Sequence, residues 1–392
     1  MIYKRKYNQL IEKYLSHFPV VGIIGPRQVG KTTFVKEFLK NYRGRSIYLD
    51  LELNSDIIKL QDPEIFLKEH IDKLVVIDEV QHRRDLFPLL RALIDQDYRA
   101  GRFILLGSAA PDLIRDSSES LAGRIMYVNI NPFDLQESIT IVDQKTLWFN
   151  GGFPRSLFAP DSAMAHHWLQ AFVKTYLDRD LPLLGLPILP PLSSRLWTML
   201  AHLNGQVVNY SLLAKSLEVS SVSVKNYIDF FENALLIRRL SSYSRNAKKR
   251  IIKAPKLYFT DTGILHHLLN MQEYDQLLSF PAVGNSWEAF CVQQIHSSIP
   301  ENCLTGYYRS QDGAECDLII EAGGNPVASV EVKFSNAPKI SKGNYIAMKD
   351  INAPFNFILT PGSDDFPVNQ DIRICSLEKF IFHYIPRILT NN

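Results

Sequence analysis

The sequence predicts an α/β protein with an N-terminal parallel sheet covered by helices on both faces, a central helical region and a C-terminal α+β domain. Up to about residue 135, continuous apolar runs alternate with helical stretches, which is typical of a sheet buried on both faces. The runs are VVGII (20–24), SIYLDL (46–51), LVVID (74–78), RFILLG (102–107) and IMYVNI (125–130). Three short helical patterns follow within residues 192–245, and strand and helix patterns mix from about residue 256.

Length and composition fit a chain of several globular domains. At roughly 150 residues per domain, 392 residues correspond to two or three domains. Hydrophobic residues make up 46% and charged residues 21%, so each domain can bury its own core. We predict domains over residues 1–135, 136–191, 192–255 and 256–392.

Charge and cysteine usage exclude several classes of protein. A net charge of +2 excludes binding to nucleic acid through bulk charge, although it allows a local basic patch. The four cysteines contain no C-x-x-C pair, which argues against a disulfide scaffold and a zinc site. No apolar run reaches the ~18 residues of a membrane helix, and the N-terminus lacks the apolar block of a signal peptide. We therefore predict a soluble, cytoplasmic protein without a membrane partner.

A phosphate-binding loop follows the first predicted strand. Residues 25–32, GPRQVGKT, match G-x-x-x-x-G-K-[ST] between that strand and a helix, which is the context the motif requires. Backbone N–H groups and the helix N-terminus would bind the phosphates of ATP, Lys31 would bridge the β- and γ-phosphates, and the Thr32 hydroxyl would hold Mg²⁺. The predicted nucleotide-binding residues are Gly25, Pro26, Arg27, Gln28, Val29, Gly30, Lys31, Thr32 and Thr33.

Later strand ends supply the residues expected for hydrolysis. Asp78 would bind Mg²⁺ through water, and Glu79 would polarise the water that attacks the γ-phosphate. Ser108 follows the strand ILLG and would bond a phosphate or the attacking water, or would simply be a small turn residue. Arg124 lies where ring-forming ATPases carry an arginine finger, which reaches the nucleotide of a neighbouring subunit. The alternative is an ordinary arginine in a surface salt bridge. Arg115 is a weaker candidate for the arginine finger.

The central region predicts a winged helix-turn-helix. Three short helices precede the basic strand IRRLSSYS, and residues 238–256 hold eight basic residues and no acidic one. Because the basic segment lies where a wing would follow the recognition helix, we predict contacts with DNA phosphates. The candidate residues are Lys225, Arg245, Lys248, Lys249 and Arg250. A solvated loop or a protein-binding winged helix is the alternative.

A hairpin in the C-terminal region gathers charged residues on one face. Two alternating strands flank the turn at residues 323–326, and pairing residues whose numbers sum to 648 sets Asp317 opposite Glu331. Lys333 shares their face, whereas the other face is apolar throughout. Two opposed carboxylates repel unless a cation lies between them, so we predict that Asp317 and Glu331 are Mg²⁺ ligands. Lys333 would orient or deprotonate a metal-bound water, or would stabilise the pentavalent phosphate. An exposed hairpin with ordinary charges is the alternative.

The motifs together resemble a known family. GPRQVGKTT, VVIDEVQ, LLGS and SLAGR occur in this order, followed by GGFPR and TYLDRD. They resemble bacterial and archaeal AAA-type ATPases with a C-terminal restriction-endonuclease-like domain. The resemblance implies an AAA+ core over 1–135 with sheet order 5-1-4-3-2, a helical lid or linker over 136–191, a winged helix over 192–255 and a PD-(D/E)xK nuclease-like domain over 256–392. It also implies that Glu288 is the accessory acidic residue that completes the metal shell.

These observations predict an ATP-hydrolysing protein that acts on DNA, with a Mg²⁺-dependent nuclease module whose activity the sequence leaves open. Arg124 allows a homo-oligomer. The alternative is a nucleotide-dependent switch or scaffold that binds protein partners through the winged helix and carries an inactive nuclease fold. A simple nucleotide kinase is disfavoured because it gives no role to Glu79 or to the C-terminal half.

Overall fold

The computed structural model describes residues 3–108, 117, 119–186, 188–244 and 251–390. The chain divides into two compact units. Unit 1 comprises Met1–Phe133, Arg179–Pro187 and Asp229–Leu235. Unit 2 comprises Asp134–Asp178, Ile188–Ile228 and Leu236–Asn392.

Unit 1 is built on a five-stranded sheet in which every pair of neighbouring strands is parallel. The strands are β1 (Val20–Gly25), β2 (Ser46–Asp50), β3 (Leu74–Asp78), β4 (Phe103–Ser108) and β5 (Ile125–Asn129). Their order is β2-β3-β4-β1-β5, which from the β5 edge reads 5-1-4-3-2. The carboxyl ends of β1, β3 and β4 therefore meet at one edge, where their last residues are Gly25, Asp78 and Ser108.

Helices of unit 1 cover the sheet. They are α1 (Asn8–Leu15), α2 (Lys31–Asn41), α3 (Asn54–Lys59), α4 (Pro63–Glu69) and α5 (Leu86–Gln96). Every residue of β1, β3 and β4 is buried, whereas the edge strands β2 and β5 are largely half-exposed. The two-sided burial predicted from the apolar runs is thus confirmed for the central strands.

The helices that follow in the chain lie mostly in unit 2. They are α6 (Leu135–Ser138), α7 (Gln144–Asn150), α8 (Pro154–Leu157), α9 (Ser162–Thr175), α10 (Leu181–Leu183), α11 (Pro190–His202), α12 (Tyr210–Leu217), α13 (Ser221–Asn233), α14 (Thr262–Leu268), α15 (Tyr274–Leu278), α16 (Val283–Ser298), α17 (Lys342–Ile351), α18 (Leu377–Lys379) and α19 (Ile385–Thr390). Of these, α10 belongs to unit 1, and α13 begins in unit 2 and ends in unit 1.

Unit 2 contains a mixed nine-stranded sheet within the described residues. Its strands are β6 (Gln206–Val207), β7 (Ile237–Ser242), β8 (Lys256–Phe259), β9 (Leu304–Arg309), β10 (Glu315–Ala322), β11 (Asn325–Val332), β12 (Phe355–Thr360), β13 (Phe366–Pro367) and β14 (Ile372–Ser376). The order is β13-β14-β12-β11-β10-β9-β7-β8-β6. Strands β9, β10 and β11 form an antiparallel meander, and β11 pairs in parallel with β12.

The β10–β11 hairpin has the register that the sequence predicts in its body. Leu318 pairs with Val330, and Ile320 with Ala328. The register then shifts by one residue, so that the turn is formed by Gly323 and Gly324, both with positive φ. Asp317 and Glu331 are buried, which contradicts the alternative of an exposed hairpin.

Asp261 holds the GGFPR turn (residues 151–155) in place through a hydrogen bond. The Gly152 N–H donates to Asp261 Oδ2 (2.7 Å), and Asp261 Oδ1 caps α14 by accepting from the Ile264 N–H (3.0 Å). Gly151 has φ +74°, and a Cβ on this residue would lie 2.2 Å from Asp261 Oδ1. A glycine is therefore required at position 151 for both conformation and space.

Cys291, Cys303, Cys316 and Cys375 are all buried free thiols. Among the described helices, none has the length and apolar character needed to span a membrane.

Candidate functional site

The phosphate loop connects β1 to α2 at the carboxyl edge of the sheet. A Cβ on Gly25 would lie 2.2 Å from the Ile130 carbonyl oxygen, so only glycine fits where the loop begins. Gly30 immediately precedes α2 with φ +96°, and Gln28 also has a positive φ, +61°. These conformations curl the loop around the N-terminus of α2, where free N–H groups and the helix dipole favour an anion.

The Lys31 side chain is folded back onto the loop. Its Nζ donates to the carbonyl oxygens of Gly25 (3.0 Å) and Pro26 (2.9 Å). Burial lowers the pKa of Lys31 to about 8, although the nearby carboxylates of Glu79 and Asp78 oppose this shift. The ammonium is thus held at the loop and can exchange its carbonyl acceptors for phosphate oxygens.

Thr32 and Asp78 meet at the point where a magnesium ion is expected. Thr32 Oγ1 donates to Asp78 Oδ2 (2.7 Å), and the Tyr48 hydroxyl donates to the same oxygen. Asp78 is only 2% exposed. A hydroxyl and a carboxylate in contact are the oxygen ligands Mg²⁺ prefers, so these residues fit that ion. Sequence reasoning missed Tyr48, which reaches Asp78 from the neighbouring strand β2 and carries no motif of its own.

Glu79 has an unusual backbone conformation directly after β3. Its φ of +55° lies in the left-handed region, which costs a non-glycine residue about 1 kcal/mol or more. The Glu79 N–H donates to Asp78 Oδ1 (2.9 Å), and Gln81 Nε2 donates to Glu79 Oε2. Burial raises the pKa of Glu79, which moves the carboxylate toward the range of a general base.

Ser108 ends β4 beside the loop. In the parallel register of β1 and β4, Ser108 pairs with Gly25. Its side-chain oxygen is buried and has no hydrogen-bond partner among the residues that the structure describes. A buried hydroxyl without a partner is costly, so Ser108 is available for a further hydrogen bond at this edge of the sheet.

Further residues brace the loop. Arg27 Nη1 donates to Asp180 Oδ1 (2.6 Å), a buried carboxylate in the TYLDRD segment. Arg5 donates to the carbonyl oxygens of Val29 (3.1 Å) and Asn131 (2.6 Å). Sequence reasoning missed Arg5 and Asp180 as loop supports, because both contacts span long stretches of chain. Thr33 is exposed on α2, and Val29 is fully buried.

Arg124 is engaged in a surface ion pair. Its Nε donates to Asp95 Oδ1 (2.7 Å) and its Nη1 to the Ala122 carbonyl (2.9 Å). In a single copy of the chain, Arg124 therefore forms an ordinary salt bridge, which was the alternative to an arginine finger. Arg115 lies outside the described residues.

A second group of chemically active residues lines a cleft of about 910 Å³ in unit 2. The cleft gathers the predicted Glu288 of α16, Asp317 of β10, Glu331 of β11 and Lys333, together with Glu315 and Lys256. The antiparallel pairing of β10 with β11 and the adjoining α16 bring these side chains together.

Lys256 lies among the carboxylates of this cleft. Its Nζ is 2.9 Å from Glu288 Oε1, 2.8 Å from Glu315 Oε1 and 3.2 Å from Asp317 Oδ1, and the residue is 2% exposed. Burial by itself lowers the pKa of Lys256, but the carboxylates, Glu288 foremost, outweigh it and the pKa is raised. Lys256, the last member of the basic run at residues 238–256, therefore faces the carboxylates of this cleft.

Glu331 and Lys333 form a separate pair in the cleft. Lys333 Nζ donates to Glu331 Oε1 (2.6 Å), whereas Glu331 Oε2 is buried without a hydrogen-bond partner in the described part of the chain. Burial, and then the Asp317 charge, raise the pKa of Glu331. Asp317 Oδ2 accepts the Val332 N–H (3.0 Å).

The acidic residues predicted as metal ligands share the cleft but are not arranged as a metal site. Within the described ranges, no group of three or more His, Cys, Asp or Glu residues could hold a metal ion. Glu288 Oε1 accepts from the Tyr258 hydroxyl (2.5 Å) in addition to Lys256. Burial and the Asp317 charge raise the pKa of Glu288.

The predicted DNA-contacting residues are only partly described. Lys225 is exposed on α13. Arg245, Lys248, Lys249 and Arg250 lie outside the described residues. Arg238 and Arg239, on β7, are half-buried.

Comparison with known families divides the chain in three. Residues 17–139 match an AAA domain, residues 141–275 a domain of unknown function (DUF8612), and residues 283–380 another domain of unknown function (DUF4143). Together with the parallel sheet and the loop that holds Lys31 and Thr32 beside Asp78, the match defines residues 17–139 as an AAA-type P-loop domain.

Relatives extend over nearly the whole chain. The uncharacterized proteins Rv2008c of Mycobacterium tuberculosis and Mb2031c of Mycobacterium bovis are each 36% identical over 372 residues, 95% of this chain and 83% of theirs. The chain belongs to the same family as these two mycobacterial proteins. The uncharacterized protein MJ1544 of Methanocaldococcus jannaschii is 24% identical over 65% of this chain and 63% of its own length.

Solved structures are more distant. The Walker-type ATPase PABY2304 of Pyrococcus abyssi is 17% identical, covers 68% of this chain and 96% of its own, and has a TM-score of 0.46. Thermotoga maritima RuvB is 15% identical over 60% of this chain and 90% of its own, with a TM-score of 0.29. Similarity of this degree assigns no function.

Proposed function

We propose that this AAA-type ATPase binds and hydrolyses ATP and uses the nucleotide cycle to act on DNA. In the proposed cycle, Lys31 leaves the carbonyl oxygens of its own loop and binds the β- and γ-phosphates. Thr32 and Asp78 would hold Mg²⁺, which supplies positive charge to the departing phosphate. Glu79 orients and deprotonates the attacking water, and the Ser108 hydroxyl gains its missing partner in the γ-phosphate or that water.

The observation that carries the proposed action on DNA is the order of elements in residues 190–259. Helix α11, strand β6, helices α12 and α13 and strands β7 and β8 follow one another, and β8 pairs with both β6 and β7. This order supports a winged helix, with α13 as the recognition helix. The exposed Lys225 on α13 and the basic segment between β7 and β8 supply charge for phosphate contacts.

The order of elements in the C-terminal domain supports a restriction-endonuclease-like fold. Helix α16 precedes the antiparallel meander β9–β10–β11, and α17 then leads to β12, which is parallel to β11. Asp317, Glu331 and Lys333 lie in one cleft at these strands. In this arrangement the residues do not form a metal site, so their geometry supports no Mg²⁺-dependent cleavage step.

The experiment that tests the proposed function measures ATP hydrolysis with and without double-stranded DNA at low salt. We expect DNA to stimulate hydrolysis by wild type, and Lys31→Ala to abolish it. Lys40→Ala, an exposed lysine on the same helix, is the matched control. Hydrolysis that is indifferent to DNA, together with no DNA binding at low salt, would contradict the proposal.

DNA binding itself is tested on the proposed recognition helix. We expect Lys225→Glu to weaken binding by about tenfold, because one phosphate contact becomes a repulsion. Lys349→Glu, which changes charge equally at an exposed position of α17, should leave binding unchanged. Equal losses in the two variants would show that only general charge matters.

A second candidate function is favoured by Lys256. Its ion pairs with three carboxylates suit a nuclease fold that does not cleave DNA. Such a fold would belong to a nucleotide-dependent switch that binds protein partners through the winged helix. Intact plasmid in every reaction with Mg²⁺, combined with ATP hydrolysis indifferent to DNA, would favour this candidate over the first.

Arg124 is proposed to act in a neighbouring copy of the chain within a homo-oligomer. For this role it must leave Asp95. We expect Arg124→Ala to reduce turnover at least tenfold, whereas Asp95→Ala, which breaks the same ion pair and frees the arginine, should retain turnover. Equal losses in both variants, or a chain that stays monomeric with ATP during sedimentation, would contradict this role.

A further inference from the structure

The cleft in unit 2 already contains a cation, and it is part of the chain. The Lys256 ammonium contacts oxygens of Glu288, Glu315 and Asp317 at 2.8–3.2 Å. These carboxylates come from α16 and β10, and Lys256 is the first residue of β8. One lysine at the start of a strand therefore joins two acidic elements.

The geometry suits an ammonium and not a divalent ion. An ammonium has three N–H donors, and in this cleft Lys256 Nζ donates to Glu288 Oε1 and Asp317 Oδ1 and forms an ion pair with Glu315 Oε1 at 2.8 Å. Magnesium requires oxygen ligands at about 2.0–2.1 Å in an octahedron, and Lys256 occupies the space between those oxygens. The absence of any three-ligand metal group in the described residues agrees with this fit.

Without the Lys256 ammonium, the neighbouring carboxylates would repel one another. Asp317 is buried, and the side chain of Glu288 is only 13% exposed. Repulsion between neighbouring carboxylates that are shielded from water is costly unless a cation is present. Glu331 lies in the same cleft with a buried oxygen, Oε2, that has no partner among the described residues. That oxygen is a ready additional ligand for a cation that enters after Lys256 is lost.

We propose that Lys256 is a built-in replacement for a divalent cation: it holds the carboxylate cleft together without metal, and a divalent site forms only when the lysine is removed. The proposal does not depend on the proposed action on DNA. It accounts for the nuclease-like arrangement of carboxylates together with their lack of metal-site geometry.

The test is Mn²⁺ binding, followed by electron paramagnetic resonance and calorimetry, in full-length chain carrying Asp78→Asn to weaken the ATP-site metal. With Lys256 intact we expect no Mn²⁺ in the cleft. Lys256→Ala should bind one Mn²⁺ per chain and gain several degrees in Tm on addition of Mn²⁺. Lys256→Arg keeps the charge and should bind none.

The substitution Asp317→Asn shows whether Mn²⁺ binds in the cleft and provides an outcome that would contradict the proposal. Added to Lys256→Ala, it should remove the gained Mn²⁺. If chain with Lys256 intact binds Mn²⁺ and loses it with Asp317→Asn, the lysine does not replace a metal and the proposal is wrong. A folded Lys256→Ala chain that binds no Mn²⁺ also overturns it. If Lys256→Ala does not fold even with Mn²⁺, Lys256→Gln is judged by the same two outcomes.

Discussion

At the scale of single residues, Asp78 and Glu79 are adjacent in sequence but have different surroundings. Asp78 ends β3 and accepts hydrogen bonds from Thr32 and Tyr48, which fix its carboxylate beside the phosphate loop. Glu79 turns out of the strand through a left-handed backbone conformation. Two carboxylates that follow one another in a strand would point to opposite faces, and the turn changes the direction of the second. This difference supports separate roles in holding Mg²⁺ and activating water.

The separation of roles predicts the behaviour of Glu79→Gln. The amide keeps the size of the side chain but cannot accept a proton, so we expect kcat for ATP hydrolysis to fall by roughly 100-fold or more. Nucleotide affinity should change little, because Lys31, Thr32 and Asp78 are intact. Single-turnover hydrolysis and binding of a fluorescent ATP analogue measure the two quantities. Loss of binding in parallel with hydrolysis would contradict a role in activating water.

Ser108 gives a second prediction at this scale. Its buried hydroxyl has no partner among the described residues, so Ser108→Ala removes an unsatisfied group and should leave the free energy of unfolding equal to or above that of wild type. If the hydroxyl contacts phosphate or water during hydrolysis, kcat should nevertheless fall by about tenfold or more. Urea denaturation and steady-state hydrolysis test both parts. Unchanged kcat would make Ser108 a simple strand-end residue.

At the scale of elements, local patterns were predictable and distant contacts were not. The phosphate loop and the β10–β11 hairpin depend on residues near one another in sequence, so spacing and alternation sufficed for both. The one-residue shift at the hairpin turn was missed, since the two-residue turn at Gly323 and Gly324 uses positive φ values that spacing does not reveal.

Contacts between distant segments lay beyond sequence reasoning. Tyr48 reaches Asp78 because β2 lies next to β3, and Arg5 reaches the Val29 carbonyl of the loop from the N-terminal segment. Lys256 stood in a run of basic residues, and a run of charge does not indicate which member faces inward. Its burial follows from the pairing of β8 with β7 and β6, which only the tertiary structure defines.

Asp261 links an element to a measurable pH dependence. Burial raises the pKa of Asp261 to about 6, against a usual value of ~3.9 in an unfolded chain, although backbone N–H donors at Ile264 and Gly152 oppose the shift. The folded chain thus binds this proton more tightly than the unfolded chain. The resulting stabilisation is complete below about pH 3.9 and is lost as pH rises through about 6.

We therefore expect the free energy of unfolding of wild type, measured against Asp261→Asn, to increase as pH falls from 7.5 to 5. The increase should not exceed about 1.4 kcal/mol per pH unit, since one proton is involved. Urea denaturation of both chains at several pH values isolates this residue, because other titrating groups are common to both. A difference that is constant with pH, or that grows toward pH 7.5, would contradict the raised pKa.

At the scale of the whole molecule, the nucleotide-binding unit is not one continuous stretch of chain. Unit 1 contains Met1–Phe133 but also Arg179–Pro187 and Asp229–Leu235, each preceded and followed by chain that belongs to unit 2. The first of these inserts carries Asp180, the partner of Arg27 in the phosphate loop, and Leu184, which packs into the apolar core of unit 1. The Arg27–Asp180 ion pair therefore connects the phosphate loop to a segment of unit 1 whose chain continues into unit 2 at both ends.

This organisation predicts how nucleotide binding changes hydrogen exchange along the chain. A ligand at about 100 times its Kd stabilises the unit that binds it by roughly 2.7 kcal/mol, which slows exchange of every amide that opens only with that unit. With Mg²⁺ and a non-hydrolysable ATP analogue, we expect protection across residues 20–108 and also in residues 179–186 and 229–235. Lys31→Ala should lose protection in all three segments, whereas Lys40→Ala should keep it. Protection confined to residues before 134 would mean that the two inserted segments do not share the stability of the nucleotide-binding unit.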